Sequence, residues 1–199
     1  MKTGILGGTF DPVHNGHLFI AETARVSCGL DRVIFVPNQT PPHKLSWNLS
    51  PAEHRLAMVR LALEGNPYFE VSTVEFDRQG TSYSVDTLQA LSMQNPGDEL
   101  YFILGSDSLN DLPTWHQPQQ IAHLARFIVI ERDCCPIQQL RKTLPQLYVE
   151  RSIFLENVLI SISATQIRQY VQDRYPVRYL TPDGIVEYIQ QNQLYSERY

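Results

Sequence analysis

The sequence predicts an α/β fold, a doubly wound parallel sheet flanked by helices, and three observations predict it. Short apolar runs alternate with helical patterns from end to end of the 199 residues. Most of the runs are continuously apolar, as strands buried on both faces are. Strand followed by helix, repeated, implies right-handed crossovers and a parallel sheet.

The strand candidates are 4–7, 32–36, 69–73, 101–104 and 126–130, with a weaker one at 158–160. Between them lie helical stretches near 16–29, 50–64, 84–94, 118–125, 163–173 and 182–194. The first strand ends in Gly7-Gly8, and the first helix begins near Gly16-His17. Ser50-Pro51-Ala52-Glu53 offers an N-cap serine, a proline at the first helical position and a capping-box glutamate. Leu56, Met58, Val59 and Leu63 then fall at core spacing, so that helix reads as packing rather than chemistry. Thr181-Pro182 repeats the first two start signals for the last helix. Segments 38–49 and 105–117 read as long loops after strands, and in an open parallel sheet such loops bind ligands.

Composition bounds the function. A hydrophobic content of 43% supports one domain with a real core, spanning 1–199, without internal repeat or long linker. With 19% charged and 10% aromatic residues the chain is neither disordered nor a basic binder of nucleic-acid polymers. The net charge of -5 means that an anionic substrate must be held by locally focused positive charge. Residues 151–199 balance five Arg with five acidic side chains, and Arg168, Arg174 and Arg178 are opposed locally only by Asp173. That tail is where a phosphate clamp is expected. Cys28, Cys134 and Cys135 give no disulfide framework and point to a reducing cytoplasm. Neither a signal peptide nor an 18-residue apolar stretch is found, so no membrane partner is expected. A homodimer is compatible with the sequence, which does not set the oligomeric state.

Chemistry concentrates at the first strand-to-helix turn. Gly4, Gly7 and Gly8 do not fit the G-x-G-x-x-G of a dinucleotide-binding oxidoreductase, but glycines let backbone approach a phosphate. A helix start adds free N–H groups and the positive end of a dipole. In His14-Asn15-Gly16-His17 two imidazoles can converge on one point, while Gly16 leaves space for a nucleotide against the backbone. Two donors on one phosphate oxygen suit phosphoryl chemistry, where catalysis is mostly positioning and electrostatic stabilisation. Lys44 follows the stiff lead Pro41-Pro42-His43, although a lone lysine is more often a solvated surface residue. Asp107 after Gly105 can grip ribose hydroxyls or a magnesium-bound water, or can cap a helix. Trp115 beside His116 can stack on a ring. Ser163, Thr165 and Arg168 at a late helix start make a phosphate cradle. His54 and His123 lie within helical runs and carry no functional reading.

Together these residues resemble the bacterial nicotinate-mononucleotide adenylyltransferase family, a branch of the H-x-G-H nucleotidyltransferases. The resemblance runs from Gly7 to about Tyr195. Its motifs are 7–17, Val36-Pro37-Asn38-Gln39 through Lys44, 80–88, 102–107 with Trp115-His116, and 162–168. Five in order are specific to this branch. The resemblance implies one Rossmann-like nucleotidyltransferase domain, whose C-terminal helical part, about 163–199, carries the late phosphate motif. It implies His14 and His17 at the triphosphate and transition state. Gly7, Gly8, Thr9, Phe10, Gly16, Lys44, Gly105, Asp107, Ser163, Thr165 and Arg168 would serve ATP. Asn38, Ser84, Trp115 and His116 would serve nicotinate mononucleotide. The expected reaction joins the AMP part of ATP to nicotinate mononucleotide, giving deamido-NAD and pyrophosphate. Mg²⁺ would be carried by ATP, with no metal ligand from the protein and no tightly bound organic cofactor.

Two departures are visible. Position 84 is Ser where Thr is usual, and Asp133-Cys134-Cys135 stands where a proline-glycine turn is frequent. The rival readings are a related transferase using CTP or acting on phosphopantetheine, one accepting both nicotinate and nicotinamide mononucleotides, and an idle nucleotide sensor. The region 82–84 with Trp115 favours a planar aromatic acceptor, and retention of both histidines favours catalysis.

Overall fold

Six strands form one parallel sheet in the order β3-β2-β1-β4-β5-β6: β1 (Lys2–Gly8), β2 (Arg32–Pro37), β3 (Phe69–Val71), β4 (Glu99–Gly105), β5 (Arg126–Ile130) and β6 (Ser152–Leu155). The computed structural model describes residues 1–40, 49–78, 80–156, 158 and 160–196. Neighbouring side chains of each strand point to opposite faces, and both faces are covered. In β4, Tyr101 and Ile103 join one core cluster while Phe102 and Leu104 join the other. That is why the strands read as unbroken apolar runs. Helix α1 (Asn15–Cys28) packs Ile20, Ala21 and Ala24 on one face, with α2 (Ala52–Leu63). Helix α3 (Ser84–Gln94) packs Val85, Leu88 and Leu91 on the other.

Several boundaries differ from the sequence reading. The sixth strand is Ser152–Leu155, paired from Phe127↔Ser152 to Ile130↔Leu155, and not 158–160. Val158 and Ile160 instead lie half-buried against the core. Segment 105–117 is no simple loop: α4 (Ser106–Asp111) and a 3-10 turn at Leu112–Thr114 bury Leu109 and Leu112. Helix α5 (Pro118–Leu124) was expected, whereas α6 (Ile137–Thr143) and α7 (Gln146–Glu150) were not.

Ser50 does not cap α2. The Pro51 carbonyl takes the His54 and Arg55 amides, while Ser50 N–H donates to Asp11 Oδ2. Thr181 likewise caps nothing: its buried hydroxyl donates to Val13 O, ahead of α9 (Asp183–Gln191). Leu56 is half-buried, and the buried side of α2 is Arg55, Met58, Val59 and Leu63.

The chain runs outward from β1 to β3 and then crosses back to β4, so the strand order reverses between β1 and β4. Ligands of open α/β sheets bind outside the carboxyl ends of the strands at such a switch point. Here β1 and β4 pair only as far as Ile5↔Phe102, although they run on to Gly8 and Gly105. Beyond that pair the two strands part and a crevice opens.

Candidate active site

The loop from β1 to α1 is held in an unusual shape. Phe10 is buried with φ 49°, and the Asp11-Pro12 peptide is cis. Left-handed backbone at a bulky residue persists only where its surroundings enforce it. The buried Arg55 does so: its guanidinium donates to the carbonyls of Thr9 (2.9 Å), Asn38 (2.6 Å), Gln39 (3.0 Å) and Ser50 (3.1 Å). Burial lowers its pKa, and the nearby Asp11 charge works against that. Asp11, also buried, accepts from the Tyr195 hydroxyl at 2.6 Å, and its carbonyl accepts from Arg168 at 2.7 Å. Burial, and then the Asp11 charge, raise the Tyr195 pKa.

The two histidines stack, with ring centroids 3.7 Å apart at 24°. The His14 N–H donates to His17 Nδ1 at 3.2 Å, so a neutral His17 carries its proton on Nε2 as a donor. His14 is 6% exposed, and its Nδ1 has no hydrogen-bond partner among the described residues. Burial, and then the Arg132 charge, lower its pKa from 6.5 to about 4, so it is neutral at pH 7. Gly16 makes room for this ring: a Cβ there would meet His14 Nδ1 at 2.9 Å. The space expected for a nucleotide is therefore filled by imidazole. A Cβ on Gly8 would meet the Phe10 ring at 3.0 Å, and neither glycine lines a cavity described below.

Three cavities adjoin along the crevice. The first, about 250 Å³, is lined by Thr9, His14, His17, Arg132, Ser163 and Arg168, with Phe10 and Thr165 also in its wall. Ser163 caps α8 (Ala164–Gln172) by accepting from Gln166 N at 3.2 Å, which leaves its hydroxyl proton for another acceptor. The second, about 190 Å³, shares His17 and Arg132 with the first and adds Gly7, Gly105, Asp107 and Trp115. Asp107 is exposed in the first turn of α4, whose N-cap is Gly105. The third, about 120 Å³, shares Gly7 and Trp115 with the second and adds Asn38, Glu75, Ser84 and Thr87.

The structure thus brings together the predicted residues Gly7, Thr9, Phe10, His14, His17, Asn38, Ser84, Gly105, Asp107, Trp115, Ser163, Thr165 and Arg168. His116 lies outside the three cavities, exposed, with its ring 4.5 Å from that of Tyr83. Lys44 lies outside the described residues. Among the described residues of the basic tail, Arg168 alone of the arginines reaches the site. Arg174 and Arg178 line a separate groove, and Arg178 pairs with Asp183 at 3.1 Å rather than standing opposed by Asp173 alone.

Sequence reasoning missed Arg55, Glu75 and Arg132. Arg132 stands two residues beyond β5, in the kind of loop already singled out for ligands. Its turn is closed by Cys135 N–H to Arg132 O at 2.9 Å, so the Asp133-Cys134-Cys135 departure still makes a tight turn. Among the described residues no helix is long and apolar enough to cross a membrane, and no group of three or more His, Cys, Asp or Glu could hold a metal ion.

Comparison with known proteins bears on this arrangement. Residues 5–170 match the family model for cytidylyltransferase-like proteins. A protein of Roseiflexus sp. (strain RS-1) named "Probable nicotinate-nucleotide adenylyltransferase" is 48% identical, covering 96% of each chain. The nicotinate-nucleotide adenylyltransferase of Bacillus subtilis (strain 168) is 38% identical over 98% of each. The nicotinic acid mononucleotide adenylyltransferase of Plasmodium falciparum, solved in complex with NaAD, has a TM-score of 0.76 at 18% identity, covering 100% of this chain and 99% of that one.

Proposed function

The chain belongs to the cytidylyltransferase-like family and, within it, to the nicotinate-nucleotide adenylyltransferases; from that premise we propose that it transfers the adenylyl group of ATP to nicotinate mononucleotide, releasing deamido-NAD and pyrophosphate. The observation that carries this reading is the run of three adjoining cavities at the β1/β4 switch point, cationic at one end and walled by Trp115 at the other. The triphosphate takes the first cavity, adenosine the second and the pyridine ring the third. The solved relative with NaAD supports treating the crevice as the site of a whole dinucleotide product.

In the reaction a phosphate oxygen of the mononucleotide attacks the α-phosphorus of ATP in line, and the bond from that phosphorus to the β-phosphate oxygen breaks. The attacking oxygen is already ionised near neutral pH, so no general base is needed. The protein's task is to position the groups and to stabilise charge on the transferring phosphorus. His17, its donor nitrogen set by the His14 N–H, and the neutral His14 supply hydrogen bonds, while Arg132 and Arg168 supply charge. Ser163, with its oxygen already engaged by Gln166 N–H, donates to a phosphate. ATP enters as its Mg²⁺ complex, the ion held mainly by phosphates and water.

The whole chain acts as one domain, because the C-terminal segment docks on the catalytic loop. Asn15 N–H meets Leu180 O, Asn15 Nδ2 meets Tyr179 O, and Tyr195 meets Asp11. Three free cysteines fit a reducing cytoplasm. Product analysis with MgATP and each of the two mononucleotides tests the reading. Deamido-NAD from the nicotinate form is expected, and NAD from the nicotinamide form at equal efficiency would replace the carboxylate preference with dual specificity.

A further inference from the structure

The third cavity contains a carboxyl group that the reaction does not consume. Glu75, four residues beyond β3, is 4% exposed. Its oxygens accept from Asn38 Nδ2 at 3.1 Å and from the Thr87 hydroxyl at 2.8 Å, and Arg78 reaches only as far as that same hydroxyl, at 2.8 Å. Glu75 takes part in none of the ion pairs of the described residues. Arg55 feels its charge but spends its hydrogen bonds on backbone carbonyls. A buried carboxylate held by neutral donors is costly unless a cation completes it.

The same cavity is bounded by the start of α3. There the Asp86 and Thr87 amides turn back to Tyr83 O, and no side chain caps the helix. A helix start is the positive end of a dipole. The cavity therefore has a negative wall at Glu75 and a positive one at Ser84. A nicotinate ring joined to ribose is a zwitterion, with a cationic ring nitrogen and an anionic carboxylate on the same plane. Placed with the carboxylate toward Ser84, it turns its positive ring toward Glu75.

We propose that Glu75 is the counter-charge for the pyridinium ring of the acceptor, so that the third cavity selects a cationic ring over a neutral one. The inference rests on the adenylyltransferase reading above and deepens it, because neither the cavity's shape nor its carboxylate-binding end would make that selection.

The test compares nicotinate mononucleotide with its 1,4-dihydro form, which keeps the carboxylate, ribose and phosphate but has an uncharged ring. Initial rates at saturating MgATP give kcat/KM for each acceptor in the wild type and in Glu75→Gln, whose amide oxygen can still accept from Asn38 and Thr87. The wild type is expected to prefer the cationic ring by about tenfold or more, the scale of a charge-assisted contact away from water. In Glu75→Gln the preference should shrink to about twofold, chiefly through KM for the cationic acceptor, with KM for ATP unchanged. A wild-type ratio near one overturns the proposal without any variant. Equal loss for both acceptors in Glu75→Gln overturns it too, leaving Glu75 as a support for Asn38 and Thr87. No dinucleotide product from either acceptor would sink the adenylyltransferase reading, and this inference with it.

Discussion

The two ends of the sheet are built on opposite principles. At the amino ends of the strands Asp98 and Arg32 gather the charges around them into one paired network. Asp98 accepts from the buried Thr3 hydroxyl at 2.7 Å, from Arg32 at 3.0 Å and from the terminal ammonium at 3.2 Å. Arg32 adds Glu70 at 2.9 Å and Asn95 at 2.7 Å. At the carboxyl ends the strands part, three cavities open, Phe10 sits at φ 49° and His14 Nδ1 is left without a partner among the described residues. A satisfied network adds stability, whereas a buried polar atom without a partner and a left-handed backbone at a bulky residue cost some of it. The difference teaches where each quantity is stored: stability at the closed end, binding and catalysis at the open one.

Breaking the open end should show the largest effect. His17→Ala is expected to lower kcat by about two to three orders of magnitude, as loss of a donor aimed at transition-state charge does. Stability should change by only about 1 kcal/mol, since one contact with the helix start is lost. ATP binding measured by calorimetry should persist. Turnover within a few-fold of wild type would remove His17 from catalysis.

The two ends should also fail in different acid windows. His14 has its folded-state pKa lowered from 6.5 to about 4, so the unfolded chain takes up that proton first. The stability tied to keeping it neutral is intact above about pH 6.5 and is lost as the pH falls toward about 4. The loss amounts to about 3 kcal/mol, at 1.36 kcal/mol per unit. Asp98 is depressed from its ordinary 3.8 by the Thr3 hydroxyl first and by Arg32 and the terminal ammonium as well. Its contribution is present above that value and is lost as the pH falls through the lower folded-state one. Urea midpoints against pH should therefore fall in two stages, with His14→Gln flattening the upper and Asp98→Asn the lower. A single stage unaffected by His14→Gln would mean that its ring is not held neutral.

Asp98→Ala at pH 7 should cost about 2 kcal/mol, because it strips partners from the part-buried Arg32 and the buried Thr3. Its kcat should stay within about twofold. A large loss of turnover in a folded Asp98→Ala protein would erase the division between the ends.

The division was itself only partly legible in the sequence. Helix α3 was read to its exact limits, 84–94, because its apolar spacing and its own core face agree. The four longer strands, β1, β2, β4 and β5, were readable for the same reason: burial on both faces leaves a largely unbroken apolar run. Strand β6 was not, because Ser152 and Glu156 bracket a run of only three apolar residues, which pairs at the sheet edge. Ser50 has the composition of a cap, but Asp11, far away in the sequence, and Arg55, on the next turn, take both its backbone groups. The catalytic loop was legible because its chemistry is local, from Gly7 to His17. Arg55, Glu75 and Arg132 are single polar residues whose meaning depends on what the fold sets opposite them. Only Arg55 left a trace, an arginine at the same helical spacing as Met58 and Val59.

The smallest effect sharpens the comparison most, because it sets two arginines against each other. Arg168 and Arg32 are both part-buried, but Arg32 spends its donors on carboxylates and amides of the closed end, while Arg168 spends one on Asp11 O and one on Thr165 and faces the first cavity. Arg168→Gln should therefore weaken ATP binding about tenfold more than AMP binding, the scale of one charge-assisted phosphate contact in a cavity open to water. The gap should narrow as salt is raised, since an open site is screened. Arg32→Gln should leave both nucleotides bound as in the wild type and lower the melting temperature instead. Equal losses for ATP and AMP in Arg168→Gln would mean that the residue acts through Asp11 on the shape of the loop rather than on the triphosphate itself.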